Sequence, residues 1–333
     1  MKEYQIKAKN EDFRVTEISD LDLSGGKYSI FLLYKSGLRT VEAIDKISLK
    51  TGIPVSEICY SGLKDEDAVT YQYISIKNAG FDKLNFSDDN GNYFFLEYIG
   101  NSPKRMEIGE LYGNAFCIRI RKLDSDTVKR ITDGEKKLIN IINYYGVQRF
   151  GKPGLPKVTH LIGKAFFDGD FDKMAHLLLE SGNITSDKYN IYINDHQKMI
   201  DSFDIRELNF FLNAWDSYVW NNKIADIISR NTENSELRTI AGISYIYSKY
   251  SYANLNDLSN ISILRHRLKT LLIKEEYTSF RQPFLPLIYR CSDIMPDDMN
   301  DGKLMVDIKF TLPSGAYATI AVDQIIWQQY ESK

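Results

Sequence analysis

Alternation of period two at both ends of the chain constrains the fold most. Asp12-Phe13-Arg14-Val15-Thr16-Glu17-Ile18, Thr70 to Ile76, Leu111 to Arg121 and Lys303 to Phe310 each alternate with period two, apolar residues recurring on one side. Such runs are half-buried strands. Between them, from about 157 to about 287, the texture turns helical, after the breaker-rich Lys152-Pro153-Gly154-Leu155-Pro156. Helices are expected over 161–167, 173–180, 205–221, 222–229 and 263–275. A polar loop is expected over 230–238, and a long amphipathic helix over 127–145. Thr40 reads as the N-cap of a helix closed by Gly52. The pattern predicts an α+β chain whose mixed, mostly antiparallel sheet is interrupted by a mainly helical block.

One turn carries chemistry. Tyr60-Ser61-Gly62-Leu63-Lys64-Asp65-Glu66-Asp67-Ala68 opens into the strand at Thr70 and sets Lys64 and Asp65 side by side behind a glycine. By spacing alone, Asp65 is an ordinary turn residue bonding its own backbone. In the strand at 13–17, Phe13 and Glu17 share one side. That is odd for a plain core strand and less odd at a rim facing a ligand.

Composition narrows the classes. The 333 residues allow one large or two ordinary domains. No window approaches the ~20 apolar residues of a membrane-spanning helix, and the N-terminus lacks a signal-like apolar run. Cys59, Cys117 and Cys291 are odd in number and widely separated. They read as reduced thiols of a cytoplasmic protein. The four histidines lack metal-ligand spacing, so no metal is expected. Net charge is −3, so nucleic-acid binding would rest on local patches, such as 144–167 and 258–274, which carry bases and no acids. No obligate protein partner is evident.

Several blocks resemble one family. Gly62-x-Lys64-Asp65-x-x-Ala68-x-Thr70-x-Gln72 is similar to the signature of the TruD family of tRNA pseudouridine synthases. Asp12-Phe13-x-Val15-x-Glu17, Gly113-Asn114-x-Phe116, Asn143-Tyr144-x-Gly146-x-Gln148-Arg149-Phe150-Gly151 and Leu312-Pro313-x-Gly315-x-Tyr317-Ala318-Thr319 resemble its other motifs, in the family's order. The resemblance implies a pseudouridine-synthase sheet in a catalytic domain, residues 1–156 and 288–333, interrupted by a TruD-type insertion domain, residues 157–287. It implies conversion of uridine to pseudouridine in tRNA, at position 13 of the D-arm, with other RNA as a further possibility. Asp65 would be the catalytic carboxylate, with Lys7 or Lys64 as its cation. Phe13, Phe116 and Tyr317 would cage the base, and Asn114 would hold its edge. Arg149 would order its loop through a carboxylate or contact phosphate. No cofactor is needed, since neither electrons nor phosphoryl groups move. Two rivals remain at this point. One is a non-catalytic RNA-binding protein on the same scaffold; the other is a hydrolase using Asp65 and Asp67 to hold a divalent metal.

Overall fold

The computed structural model describes residues 4–133, 137–232, 235–248, 261–271, 273–292 and 294–330. It divides into two compact units. The first comprises Met1–Ile139, Leu287–Ala318 and Ile325–Lys333; the second comprises Asn140–Pro286 and Thr319–Gln324. In chain order the elements are β1 (Phe13–Ile18), β2 (Tyr28–Ser36), α1 (Thr40–Thr51), β3 (Ile58–Tyr60), β4 (Val69–Lys77), β5 (Lys83–Ser87), β6 (Tyr93–Ser102), β7 (Gly113–Leu123), α2 (Ser125–Thr132) and β8 (Lys137–Ile142). Then come α3 (Thr159–Asp168), α4 (Phe171–Glu180), α5 (Ser186–Tyr192), α6 (His196–Asp201), α7 (Ile205–Asn231) and the strands β9 (Ser235–Ile240), β10 (Ile243–Ser248), β11 (Ile261–Thr270) and β12 (Ile273–Arg281). Last are β13 (Phe284–Cys291), β14 (Met295–Pro296), β15 (Leu304–Pro313) and α8 (Ala318–Tyr330).

In the first unit a mixed sheet runs β5-β6-β2-β4-β1-β7-β15-β13, with β3 against β4 and β14 against β15. Among these pairs only β1–β4 is parallel; the others are antiparallel. Register decides which side chains share a face. Val15 lies opposite Thr70 and Phe116, Phe116 opposite Phe310, and Gln72 opposite Leu33. Because side chains alternate along a strand, Phe13, Val15, Glu17, Lys35, Thr70, Gln72, Asn114, Phe116, Phe310 and Leu312 all point to one side. Helix α1 packs on this side, burying Ala43, Ile44 and Ile47 against Phe31, Leu33, Ile74, Phe94 and Leu96. Each buried isoleucine contributes about 1.5–3 kcal/mol. The helix stops because Gly52 turns left-handed (φ 73°) and its N–H returns to the Ser48 carbonyl.

In the second unit, α3, α4, α6 and α7 enclose a core that includes Ile162, Phe166, Met174, Leu178, Met199, Leu208 and Leu212. Helices α3 and α7 touch through Gly163: a Cβ there would lie 2.0 Å from the Phe211 carbonyl oxygen. Two antiparallel hairpins, β9–β10 and β11–β12, complete the unit.

Five local expectations change. The stretch 127–145 is not one helix. Helix α2 ends at Thr132, and β8 follows, while 134–136 lie outside the described residues. Ile139, Ile141 and Ile142 are β-branched and suit a strand. The stretch 263–275 forms β11 and β12, where Ile261 and Ile263 are buried and Ser262 and Leu264 exposed. The loop expected over 230–238 instead runs into β9, whose two-residue turn to β10 uses Ala241 (φ 46°) and Gly242 (φ 83°). Residues 205–231 form a single helix, α7, rather than two. Thr40 is the first residue of α1 rather than its cap. Arg39 takes that place, its N–H bonded to the Glu42 carboxylate at 2.9 Å.

Candidate active site

The segment from Ser61 to Ala68 must return from the end of β3 to the start of β4, so it crosses the shared face of the sheet. Side chains beneath hold it there. Thr40 Oγ1 accepts from Lys64 N and donates to Gln72 Oε1, each at 2.9 Å, and Gln72 Nε2 donates to the Gly62 carbonyl at 3.2 Å. Lys35, fully buried on β2, donates Nζ to the Leu38 and Asp65 carbonyls at 2.7 and 2.8 Å. Burial lowers the Lys35 pKa to about 8, against an opposing pull from Asp65. Lys64 turns inward to Glu17, Nζ to Oε2 at 2.6 Å, and Ser19 Oγ donates to the other Glu17 oxygen at 2.9 Å. Both charged ends are almost fully buried. The Glu on the Phe13 face of β1 is thus the counterion of the turn.

Asp65 points outward, its side chain 36% exposed, and meets Lys7: Nζ to Oδ2 is 2.7 Å. Lys7 sits in the left-handed region (φ 57°), a strained conformation for a residue with a side chain. Arg121 holds both flanks of this arm. Its backbone N–H and C=O pair with Gln5 at 2.8 and 3.1 Å, and its guanidinium grips Asp12 through two bonds of 2.8 Å. Asp297 and Asp298 take the remaining Arg121 nitrogen. Lys7 Nζ also lies 4.2 Å from the Phe13 ring centroid.

Phe13 and Phe116 meet edge to face at 6.1 Å, and Phe116 stacks on Phe310 at 5.4 Å. Asn114 lies across from Glu17, and its Oδ1 is buried with no hydrogen-bond partner among the described residues. Asp65, Lys7, Phe13 and Phe116 therefore come together, with Asn114 one alternation along from Phe116. Tyr317 closes the short turn between β15 and α8, and this turn leaves the sheet beside Gly113, which pairs with Pro313. Arg149 belongs to the second unit. Its Nε donates to Ser217 Oγ at 3.3 Å and its guanidinium lies 5.4 Å from the Phe210 ring centroid, so among the described residues a hydroxyl and a ring, not a carboxylate, hold it.

Lys35, Phe310 and Arg121 were not singled out from the sequence. A lysine on the apolar face of β2, in phase with Phe31 and Leu33, was a legible signal for the first. Among the described residues no three His, Cys, Asp or Glu side chains cluster to hold a metal ion, and no helix is long and apolar enough to cross a membrane.

Comparison with known proteins adds to this geometry. Residues 3–207 match the family described as tRNA pseudouridine synthase D (TruD). A probable tRNA pseudouridine synthase D 1 of Methanococcus maripaludis is 28% identical, covering 96% of this chain and 99% of that protein. The tRNA pseudouridine synthase D of Aquifex aeolicus is 25% identical over 98% of this chain and 99% of its own. The crystal structure of a putative TruD from Methanosarcina mazei superposes with a TM-score of 0.62 at 22% identity, covering 97% of this chain and 93% of that one, and so shares the fold. The match spans more than half of the sequence and contains the turn, the lysine arm and the strands of Phe13 and Phe116, so the chain belongs to the tRNA pseudouridine synthase D family.

Proposed function

We propose that this chain isomerises uridine to pseudouridine in tRNA, at position 13 of the D-arm, with Asp65 as the catalytic carboxylate. The observation that carries the proposal is the Lys7–Asp65 pair at the edge of the Phe13–Phe116 aromatic cluster, beside a buried Asn114 oxygen that lacks a donor. An extruded uracil presents a π-face and an imide N–H. The rings match the first and Asn114 Oδ1 the second, while Tyr317 would close the cage. Residues 157–287 would act as the insertion domain, with Arg149 ordering the loop that begins it.

The chemistry needs one carboxylate. In one route an Asp65 oxygen bonds to C1′ as the C1′–N1 bond breaks, its electron pair leaving with the base. In the other, Asp65 removes the C2′ proton and a glycal forms. Held by the cage, the detached base turns, C5 bonds to C1′, and the carboxylate is released or the C2′ proton returned. The C5 proton is lost and N1 gains one, so atoms and charge balance with no redox change. Lys7 offsets the loss of water around the carboxylate, and the cage keeps the base at high effective concentration.

Incubation with uridine-labelled tRNA transcript in EDTA tests the proposal. Pseudouridine forms with the parent protein and is abolished in Asp65→Asn. Binding without product would favour a non-catalytic RNA-binding role, and chelator-sensitive turnover a hydrolase. Mapping of modified sites with and without the protein gives the nucleotide.

A further inference from the structure

A target uridine cannot reach a base pocket alone, because its neighbours in the strand are one phosphodiester away. A cavity of about 440 Å³ borders the same turn. Its wall includes Ser61, four residues before Asp65, and Ser19, whose hydroxyl bonds the Glu17 carboxylate that holds Lys64. The outer wall is the segment before β7. Its backbone is anchored by Met106 N to Ser75 Oγ at 2.9 Å, Gly109 N to the Ser61 carbonyl at 2.8 Å, and Tyr112 N to the Ile18 carbonyl at 3.0 Å.

Four features of the cavity fit a nucleotide. Tyr112 is 69% exposed at its edge, and an exposed ring held on fixed backbone is a stacking surface for a base. Ser61 is 1% exposed, and its Oγ is buried without a hydrogen-bond partner among the described residues. A hydroxyl left so is costly unless a ligand completes it. Lys104 and Arg105 line it beside Asp22 and Glu110, with Arg105 3.5 Å from the Glu107 carboxylate, and supply the cations a phosphate would meet. Asp20 adds a carboxylate to the lining. A carboxylate accepts from an amine and repels a carbonyl edge.

We propose that this cavity holds the nucleotide adjacent to the target uridine, and that it favours a base with an exocyclic amine over uracil. The proposal rests on the uridine-isomerising reading above. Tyr112 stacks the base, Asp20 and Ser61 bond its edge, and Lys104 or Arg105 meets the phosphate.

The test uses the full chain and tRNA transcripts carrying 2-aminopurine at either neighbour of the mapped target. Binding is read with Asp65→Asn, which holds RNA without turnover. At one of the two positions 2-aminopurine emission is quenched on binding, and adding Tyr112→Ala removes the quench. In otherwise parental protein, Tyr112→Ala raises KM about ten-fold or more while kcat stays within about two-fold, as loss of one stacked base requires. Placing uridine at that position raises the parent's KM, and Asp20→Ala reduces this discrimination. Equal emission with and without Tyr112→Ala at both positions, or an unchanged KM, overturns the proposal. If Asp65→Asn still yields pseudouridine, the catalytic reading fails instead, and the emission comparison still decides the cavity.

Discussion

Lys35→Met separates stability from activity. Lys35 is wholly buried, yet it places an ammonium against the carbonyls of Leu38 and Asp65. Its pKa of about 8, below the ordinary 10.5, means the charged form is disfavoured by about 3 kcal/mol near neutral pH, at ~1.4 kcal/mol per pKa unit. Removing the charge relieves that cost but strips two carbonyls of a donor, each worth about 1–3 kcal/mol. The two effects oppose, and the folding free energy at pH 7 should change by less than about 2 kcal/mol. Activity should not be spared. The Asp65 backbone loses its anchor, and a displacement of about 1 Å at a reacting group costs about a hundred-fold in rate. The pH dependence follows from the sign of the shift. The folded pKa lies below the unfolded one, so between pH 8 and 10.5 the unfolded state holds more protons and parental stability gains from this group as pH rises. Below pH 8 both states are protonated and the contribution is flat. Lys35→Met should lack the alkaline gain. Urea melts at pH 7.5 and 10, with single-turnover rates at saturating tRNA, measure both. A variant that turns over within three-fold of the parent would refute the claim that Lys35 places the turn.

Lys64→Met should lose about 3–5 kcal/mol of stability by leaving Glu17 buried without its cation, and adding Glu17→Gln should restore most of it; a double-mutant cycle by denaturant melts checks this. Gly163→Ala forces a Cβ to within 2.0 Å of the Phe211 oxygen, so α3 and α7 must part, and thermal unfolding with limited proteolysis of 140–286 should show a loss of about 3 kcal/mol or more. His160 is buried, and burial pushes its pKa down to about 4. The unfolded chain therefore takes this proton first, and stability should fall by about 3 kcal/mol as pH drops from 6.5 to 4, a slope that His160→Phe should flatten in melts across that range.

Strand alternation made much of the first unit legible. β1, β4, β7 and β15 follow their apolar periods, and Phe13 and Glu17 share a face as read. The second unit was harder for a local reason. β11 and β12 pair up to Thr270 and Ile273, and no Gly, Asn or Pro in the sequence there announces a reversal, so the apolar residues of two strands read as one helix. Phe310 and Arg121 needed the register: only strand pairing shows that one stacks on Phe116 and that the other reaches Asp12. Which lysine meets Asp65 was likewise open, because Lys64 is adjacent in sequence and Lys7 is not.

That last point bears on reactivity. A nucleophilic oxygen needs a lone pair that no donor occupies. Lys64 is the nearer cation along the chain, and without Glu17 it would be drawn to Asp65, tying up both carboxylate oxygens between two ammonium groups. Glu17 takes Lys64 into the core at 2.6 Å, and Lys7 bonds Oδ2 alone. Among the described residues no donor reaches Asp65 Oδ1. The buried Glu17–Lys64 pair thus does more than fix the turn. It leaves one oxygen of the Asp65 carboxylate free for the role proposed above, while a single ammonium still stabilises its charge. Three lysines surround one short turn, and only Lys7, strained at φ 57° on an arm that Arg121 anchors, is allowed to touch the carboxylate.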